Sequence, residues 1–475
     1  MRPRRIFLLV SGLVAIVAFV SRGVQSLAYD ELFTVWVASR PVRDLIYQAN
    51  VDGFTPPLFY LLVKALSLTG LSNEDLRILP VLFAGLAVYC GLEAASRLFG
   101  STVRWLAIPL IGGSAYLFTF AHELRPYSAL LACSFFCLGQ LGGPTSRRSD
   151  QRAMIGALAA TAFSYLGASL VLVWVIECRR RVARSTLAFA FILTLVLCSP
   201  GLLKVRGLHA AAETSSIVWA PTRPASSDML FGLASFPVSP WIEGAGVGLF
   251  LAMLILAQRA GRLPALSFLL RSLLVSALFL AALDAVVRIG FAPRYLALPA
   301  SAVLLLMVGA LSRLGRAGAG VALVMASVNV LAIHRYLVIE PPQREDWRGA
   351  MARLDARLGP DGVLLAFPFH HAAVAASAYA PALKVGGGYT SRRGPVFWYE
   401  PPAKFPGYAF EGLAKLDDVG EVLRGLVPAS DLCLLSDEPD PTKTAGVFRA
   451  FEGLGGSAPF DVGDPRLRVV CRPRT

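Results

Sequence analysis

Long apolar runs separated by short, arginine-bearing loops recur from the start of the chain to about position 338. A run of about 20 apolar residues is the length at which a helix crosses a bilayer. The first, "IFLLVSGLVAIVAFV", follows "MRPRR", and the positive-inside rule keeps that basic flank cytoplasmic. Placing every later basic loop on the same side fixes the direction of each span. The chain then leaves over about residues 6 to 20, returns in "LRILPVLFAGLAVYCGLEAASRLF", leaves in "VRWLAIPLIGGSAYLFTFA" and returns in "PYSALLACSFFCLGQL". Further spans are expected at about 185–203, 241–258, 264–283, 294–311 and 317–338.

Residues 153 to 177 need separate treatment, because basic loops flank both ends. A single helix would put "CRRRVAR" outside, so the sequence is read as two half-helices bent near Tyr165-Leu166-Gly167 and buried by neighbours. The tally is about eleven crossings, with the N-terminus cytoplasmic and the C-terminus outside. Cleavage after Ser26-Leu27-Ala28 is the competing reading of the first run, which has the length of a signal peptide.

From Glu340 the pattern changes, and no span-length apolar run follows. "EDWRGAMARLDARLG" has the period of an amphipathic helix, "DGVLLAFPF" reads as a buried strand, "HHAAVAASAYA" as a helix, and "SDLCLLS" and "LRVVCR" as later strands. The expected fold is therefore mainly α: a polytopic membrane bundle over residues 1–339, with interfacial helices in an external loop at 21–75. A small soluble α/β domain over 340–475 completes it.

Composition agrees. The 475 residues are 55% hydrophobic and 16% charged, with a mean hydropathy of +0.60, values typical of a membrane protein. The net charge of +14 sits in the short loops, as topology signals do, and not in a nucleic-acid groove. The seven cysteines show no zinc spacing; Cys433 and Cys471 each lie in a strand-like run and are able to pair if that domain is outside the cytoplasm. His370 and His371 read better as a polar helix start than as metal ligands.

The chemistry-bearing residues gather in the external segments. "SLAYDELFTVWVASRP" holds Asp30 and Glu31, and the same segment continues to "TPPLFYLLVKAL" with Lys64. The second external loop holds Glu123, Arg125 and Tyr127, and "RIGFAPRYLALP" adds Arg294 and Tyr295. Carboxylates are costly to desolvate at a bilayer edge, so an adjacent pair there asks for a reason. Carboxylates beside Arg and Lys at such a boundary suit sugar transfer from a polyprenyl-phosphate carrier. The departing phosphate is a stable anion that needs cations, not an acid, and the acceptor hydroxyl needs a base.

The order "AYDELFTVWVASRPVRDLI", "DGFTPPLFYLLVKAL", "LRILPVLFAGL", "ASRLFGSTVRWLA", "AHELRPYSALL" closely resembles bacterial GT-C membrane glycosyltransferases. These belong to the glycosyltransferase family 39 and protein O-mannosyltransferase group, with relatives among the aminoarabinose and lipopolysaccharide galacturonosyl transferases. "APRYLALPA" and "EDWRGAMARL" extend the likeness, which fades after about residue 380. The resemblance implies inverting transfer on the outer face of a bacterial inner membrane. The donor would be a polyprenyl-phosphate sugar, and the acceptor a glycolipid, glycan or protein. Membrane lipid would be the setting, and nucleic acid no partner.

It also implies Asp30 as base, with Glu31, Lys64, Glu123, Arg125, Tyr127, Arg294 and Tyr295 in substrate binding. The family's His-Pro-Pro is Thr55-Pro56-Pro57 here, and His122 stands where Gln is usual. A divalent cation would assist by neutralising phosphate charge; the sequence leaves metal binding open.

Structural roles compete at each position. Asp30 and Glu31 suit the first turn of a helix, Glu123 and Arg125 an interfacial ion pair, Tyr127 and Tyr295 an aromatic belt, and Lys64 and Arg294 snorkelling cations. A lipid-linked sugar flippase or other transporter is the rival function. It calls for charged residues near span midpoints and for internal repeats, and neither stands out.

Overall fold

The computed structural model describes residues 3–23, 26–52, 55–214, 264–287, 296–334, 337, 346–359, 362–367, 369–391, 394–398, 414–415, 432–436, 448–449, 451–452, 458–464 and 467–472. The described residues fall into two compact units. One takes 3–23, 52–208 and 264–337; the other takes 26–51, 209–214 and 346–472.

The first unit is helical. Its elements are α1 (Pro3–Ser21), α4 (Pro57–Ser67), α5 (Ile78–Phe99), α6 (Arg104–Ala107), α7 (Ala115–Ala121), α8 (Tyr127–Gly142), α9 (Arg147–Phe163) and α10 (Ala168–Cys178). Most of α11 (Arg184–Thr214), then α12 (Pro264–Val287), α13 (Ala297–Arg313) and α14 (Gly315–His334), complete it. α2 (Tyr29–Ser39) and most of α3 (Val42–Asp52) belong to the second unit.

Among the described residues four helices are long and apolar enough to cross a membrane: Arg4–Ser21, Asp75–Phe99, Pro264–Leu283 and Gly315–His334. A fifth span arises if Ser101–Gly112 and Ala115–Ala121, bent by 51°, count as one. Shorter apolar helices include Tyr127–Gly142 and Ala297–Arg313. The expected span at 241–258 lies outside the described residues.

α5 and α8 form the centre of the bundle, packed so closely that a Cβ on Gly139 would lie 2.8 Å from the Ala94 Cβ. Two polar contacts lock the surrounding helices. Ser134 of α8 and Ser301 of α13 share a hydrogen bond of 2.5 Å, and Asn329 of α14 accepts from the Ala115 N–H at the start of α7 (3.1 Å). The second bond satisfies a donor that the helix break leaves without an intrahelical partner.

α9 and α10 form the expected hairpin. The chain turns through a 3₁₀ segment at Tyr165–Gly167, and the indole N–H of Trp174 donates to the Asp150 carbonyl (2.9 Å), so the two arms run antiparallel.

The second unit carries a mixed sheet in the order β4-β3-β2-β1-β5-β7-β6. Its strands are β1 (Val363–Phe367), β2 (Lys384–Ser391), β3 (Gly394–Trp398), β4 (Ala414–Lys415), β5 (Leu432–Ser436), β6 (Ala458–Pro459) and β7 (Arg468–Cys471). β1 runs parallel to both β2 and β5, and the remaining pairs are antiparallel.

Two helices pack here, α15 (Trp347–Leu358) and α16 (Phe369–Tyr379), the latter crossing from β1 to β2. Asp346 caps α15 by accepting from the Gly349 N–H (3.1 Å), and Trp347 and Leu354 are fully buried. Cys433 and Cys471 face each other in the β5–β7 register and form a disulfide, the pairing that sequence left open. Replacing both by alanine is expected to cost about 2–4 kcal/mol, because the bond restrains a long loop of the unfolded chain. Thermal unfolding of wild type with and without reductant, beside the double variant, checks it.

Candidate active site

Asp30 and Glu31 sit in the first turn of α2, where acidic side chains complement the helix dipole. Their surroundings differ. Glu31 is 1% exposed and its Oε2 accepts from the Ala28 N–H (3.0 Å), the reciprocal half of a capping box. Asp30 is half-buried, and its backbone carbonyl accepts from the Thr34 hydroxyl (2.9 Å). The Glu31 side chain thus fills the helix-start role weighed for this pair.

Just upstream, the Leu27 N–H donates to the Tyr379 hydroxyl (3.1 Å), and α2 packs against α16. The acidic turn is therefore seated on the α/β unit, an arrangement that no local sequence pattern announces. Phe33 and Trp36 are buried with ring centroids 5.8 Å apart, and the Arg40 guanidinium lies 4.4 Å from the Trp36 centroid. Burial pulls Arg40 below the ordinary arginine value and Asp44 opposes the shift; a guanidinium remains cationic throughout.

In the helical unit, Arg125 lies in the turn between α7 and α8, 7% exposed, and its Nη1 donates to the Tyr60 hydroxyl (3.4 Å). Tyr60 is on α4, fully buried, and four residues ahead of Lys64, hence one turn along the same helix face. That bond brings Arg125 to the helix that carries Lys64, which is half-buried. Prolines at the start of α4 suit its first turn.

The Glu123 carbonyl accepts from the Arg125 N–H (2.6 Å), a tight reverse turn, and the Glu123 side chain is half-buried. Tyr127 opens α8 and is 5% exposed, its ring 5.1 Å from Phe120 in the bundle core. That is a core position as much as a belt position.

His122 is buried. Its Nδ1 donates to the Phe118 carbonyl (2.9 Å), and Nε2 meets the Ser21 hydroxyl (2.8 Å), so the ring ties the end of α1 to the end of α7. Nearby, Arg77 is 1% exposed and donates to the Arg22 carbonyl (2.7 Å), while Arg22 Nε donates to Asp75 (3.0 Å). This pinning of α1 to α5 escaped sequence reasoning, although a charge inside "LRILP" was a signal for it.

Arg294 and Tyr295 lie outside the described residues. Among the described residues no group of three or more His, Cys, Asp or Glu comes together in a way suited to a metal.

The chain is similar in structure to ArnT from Cupriavidus metallidurans, solved in the apo state. The TM-score is 0.58 with 16% sequence identity, over 98% of this chain and 97% of that one. No family model and no curated relative matches the sequence. At this identity the likeness establishes the fold alone, a mostly helical architecture with several apolar helices.

Proposed function

We propose that this protein is an inverting glycosyltransferase of GT-C type that moves a sugar from a polyprenyl-phosphate donor to an acceptor hydroxyl at the outer face of the inner membrane. The observation that carries this is the fold shared with ArnT over nearly the full length of both chains. The motif resemblance to the aminoarabinose and O-mannosyl transferases supports the same reading.

In this mechanism the Asp30 carboxylate takes the proton of the acceptor hydroxyl as its oxygen attacks the anomeric carbon. The bond from that carbon to the phosphate oxygen breaks on the opposite face, so a single displacement inverts the configuration. Polyprenyl phosphate departs with the electron pair, and Arg125, Lys64 and Arg294 bind its oxygens. Tyr60, which sequence reasoning did not single out, orients the Arg125 guanidinium.

The Cys433–Cys471 disulfide supports an extracytoplasmic α/β unit, because such bonds persist in oxidising compartments. A transporter would exploit discontinuous helices, and the bent pair at Ser101–Gly112 and Ala115–Ala121 is the feature that favours it. The polar groups at that break are bonded internally by Ser114 and Asn329, which accounts for it without a passing substrate.

Membranes containing the protein should incorporate label from a polyprenyl-phosphate sugar pool into a glycoconjugate of inverted anomeric configuration; membranes lacking it should not. Retention of configuration would sink the single-displacement mechanism. Arg125→Ala should raise the KM for donor by about tenfold to a hundredfold, the worth of a charge-assisted hydrogen bond, and Tyr60→Phe by less than about tenfold. Donor titrations with each variant at equal folded amounts check this.

A further inference from the structure

The base of the α9–α10 hairpin concentrates positive charge. Arg147, Arg148 and Arg152 lie on one arm and Arg179, Arg180 and Arg181 follow the other, all exposed. The hydrogen bond from Trp174 to the Asp150 carbonyl joins the arms there, and Asp150, 5% exposed, also takes an ion pair from Arg181 (3.3 Å) and the Cys178 thiol (3.4 Å). Arg181 apart, none of the six has an ion pair among the described residues. The nearest other carboxylate on the hairpin, Glu177, is engaged by Arg271 (2.9 Å).

A topology signal needs only charge in a loop. Here the loops are held in a fixed arrangement by a buried carboxylate, and every cation in it is arginine, whose planar fork matches phosphate oxygens. Next to the charge the surface turns apolar. Ile155, 60% exposed, is one helical turn from Arg152, and the row of Leu172 (40%) and Ile176 (41%) runs up to Arg179 and Arg180. Exposed hydrocarbon bordered by unpaired guanidinium groups has the polarity profile of an anionic amphiphile.

We propose that the base of this hairpin is a binding site for anionic phospholipid of the adjoining leaflet, the phosphate held by arginines of both arms and the acyl chains lying along Ile155, Leu172 and Ile176. The site uses none of the residues assigned to sugar transfer, so it stands independently of that reading.

The test uses the full chain, delipidated in mild detergent and titrated with dioleoyl phosphatidylglycerol or dioleoyl phosphatidylcholine, with bound lipid counted by native mass spectrometry. Phosphatidylglycerol should bind at least about tenfold more tightly, with the preference shrinking as salt rises. R147Q/R148Q/R152Q/R179Q/R180Q should bind both lipids alike. Equal binding of the two lipids by wild type overturns the proposal, as does a preference that survives in the variant.

Should the five-fold variant fail to fold, photoactivatable-chain phosphatidylglycerol on wild type decides: label in the peptides around Ile155 and Ile176 supports the site, and label elsewhere only refutes it. Competition by inorganic phosphate alone, without any contribution from the acyl chains, would mark an anion site and refute the lipid assignment.

Discussion

Asp30→Asn should lower sugar transfer by about 10²- to 10⁴-fold, the range that a positioned general base contributes, while the protein still folds and binds donor. Asparagine keeps the size and serves a helix start nearly as well as aspartate, so a role confined to the first turn of α2 would survive the change. The neighbouring carboxylate sharpens the contrast. Glu31 is buried and occupied with the Ala28 N–H, so Glu31→Gln should mainly loosen the turn, with a stability loss of about 1 kcal/mol. Transfer rates and folded yield for the two variants, measured side by side, separate base from cap. Wild-type transfer by Asp30→Asn would return the assignment to Glu31 or Glu123.

Gly167→Val should prevent the α9–α10 hairpin from closing, with a loss of more than about 3 kcal/mol. A Cβ at this position would lie 2.3 Å from the Ala160 carbonyl carbon and 2.4 Å from the Thr161 nitrogen. Both are backbone atoms in the last turns of α9 and have no rotamer through which to give way. Because the backbone here is ordinary and right-handed, the requirement for glycine is one of close approach, not of conformation. Size-exclusion profiles and thermal melts in detergent read the outcome: a monodisperse peak with wild-type Tm would contradict the packing described.

Local patterns were legible where one physical constraint dominated. Basic loops at both ends of residues 153–177 suggested two half-helices with a turn between them, and the chain does break at Tyr165–Gly167. The period changes after Glu340 marked α15, β1, α16, β5 and β7, because amphipathic helices and buried strands announce themselves in short windows. β2 went unread; "KVGGGYTS" is rich in glycine and has little strand propensity of its own, so its place beside β1 comes from tertiary pairing.

The candidate residues were picked out in the sequence as polar and charged groups beside apolar runs. Their partners were not, because pairing between distant segments leaves no local trace. Arg125 meets a tyrosine 65 positions away, and the segment bearing Asp30 is fastened to Tyr379, 352 positions from Leu27. Cysteine pairing is of the same kind: the register of β5 with β7 settles it, and neither strand alone contains that register.

The most direct test of the account reconstitutes the purified protein in liposomes with labelled polyprenyl-phosphate sugar and a membrane acceptor extract, and follows the sugar and the lipid phosphate together. The account predicts that free polyprenyl phosphate appears in step with label on the acceptor, one for one. Movement of intact donor across the bilayer, with the sugar still attached and no acceptor labelled, would contradict it and make the protein a transporter.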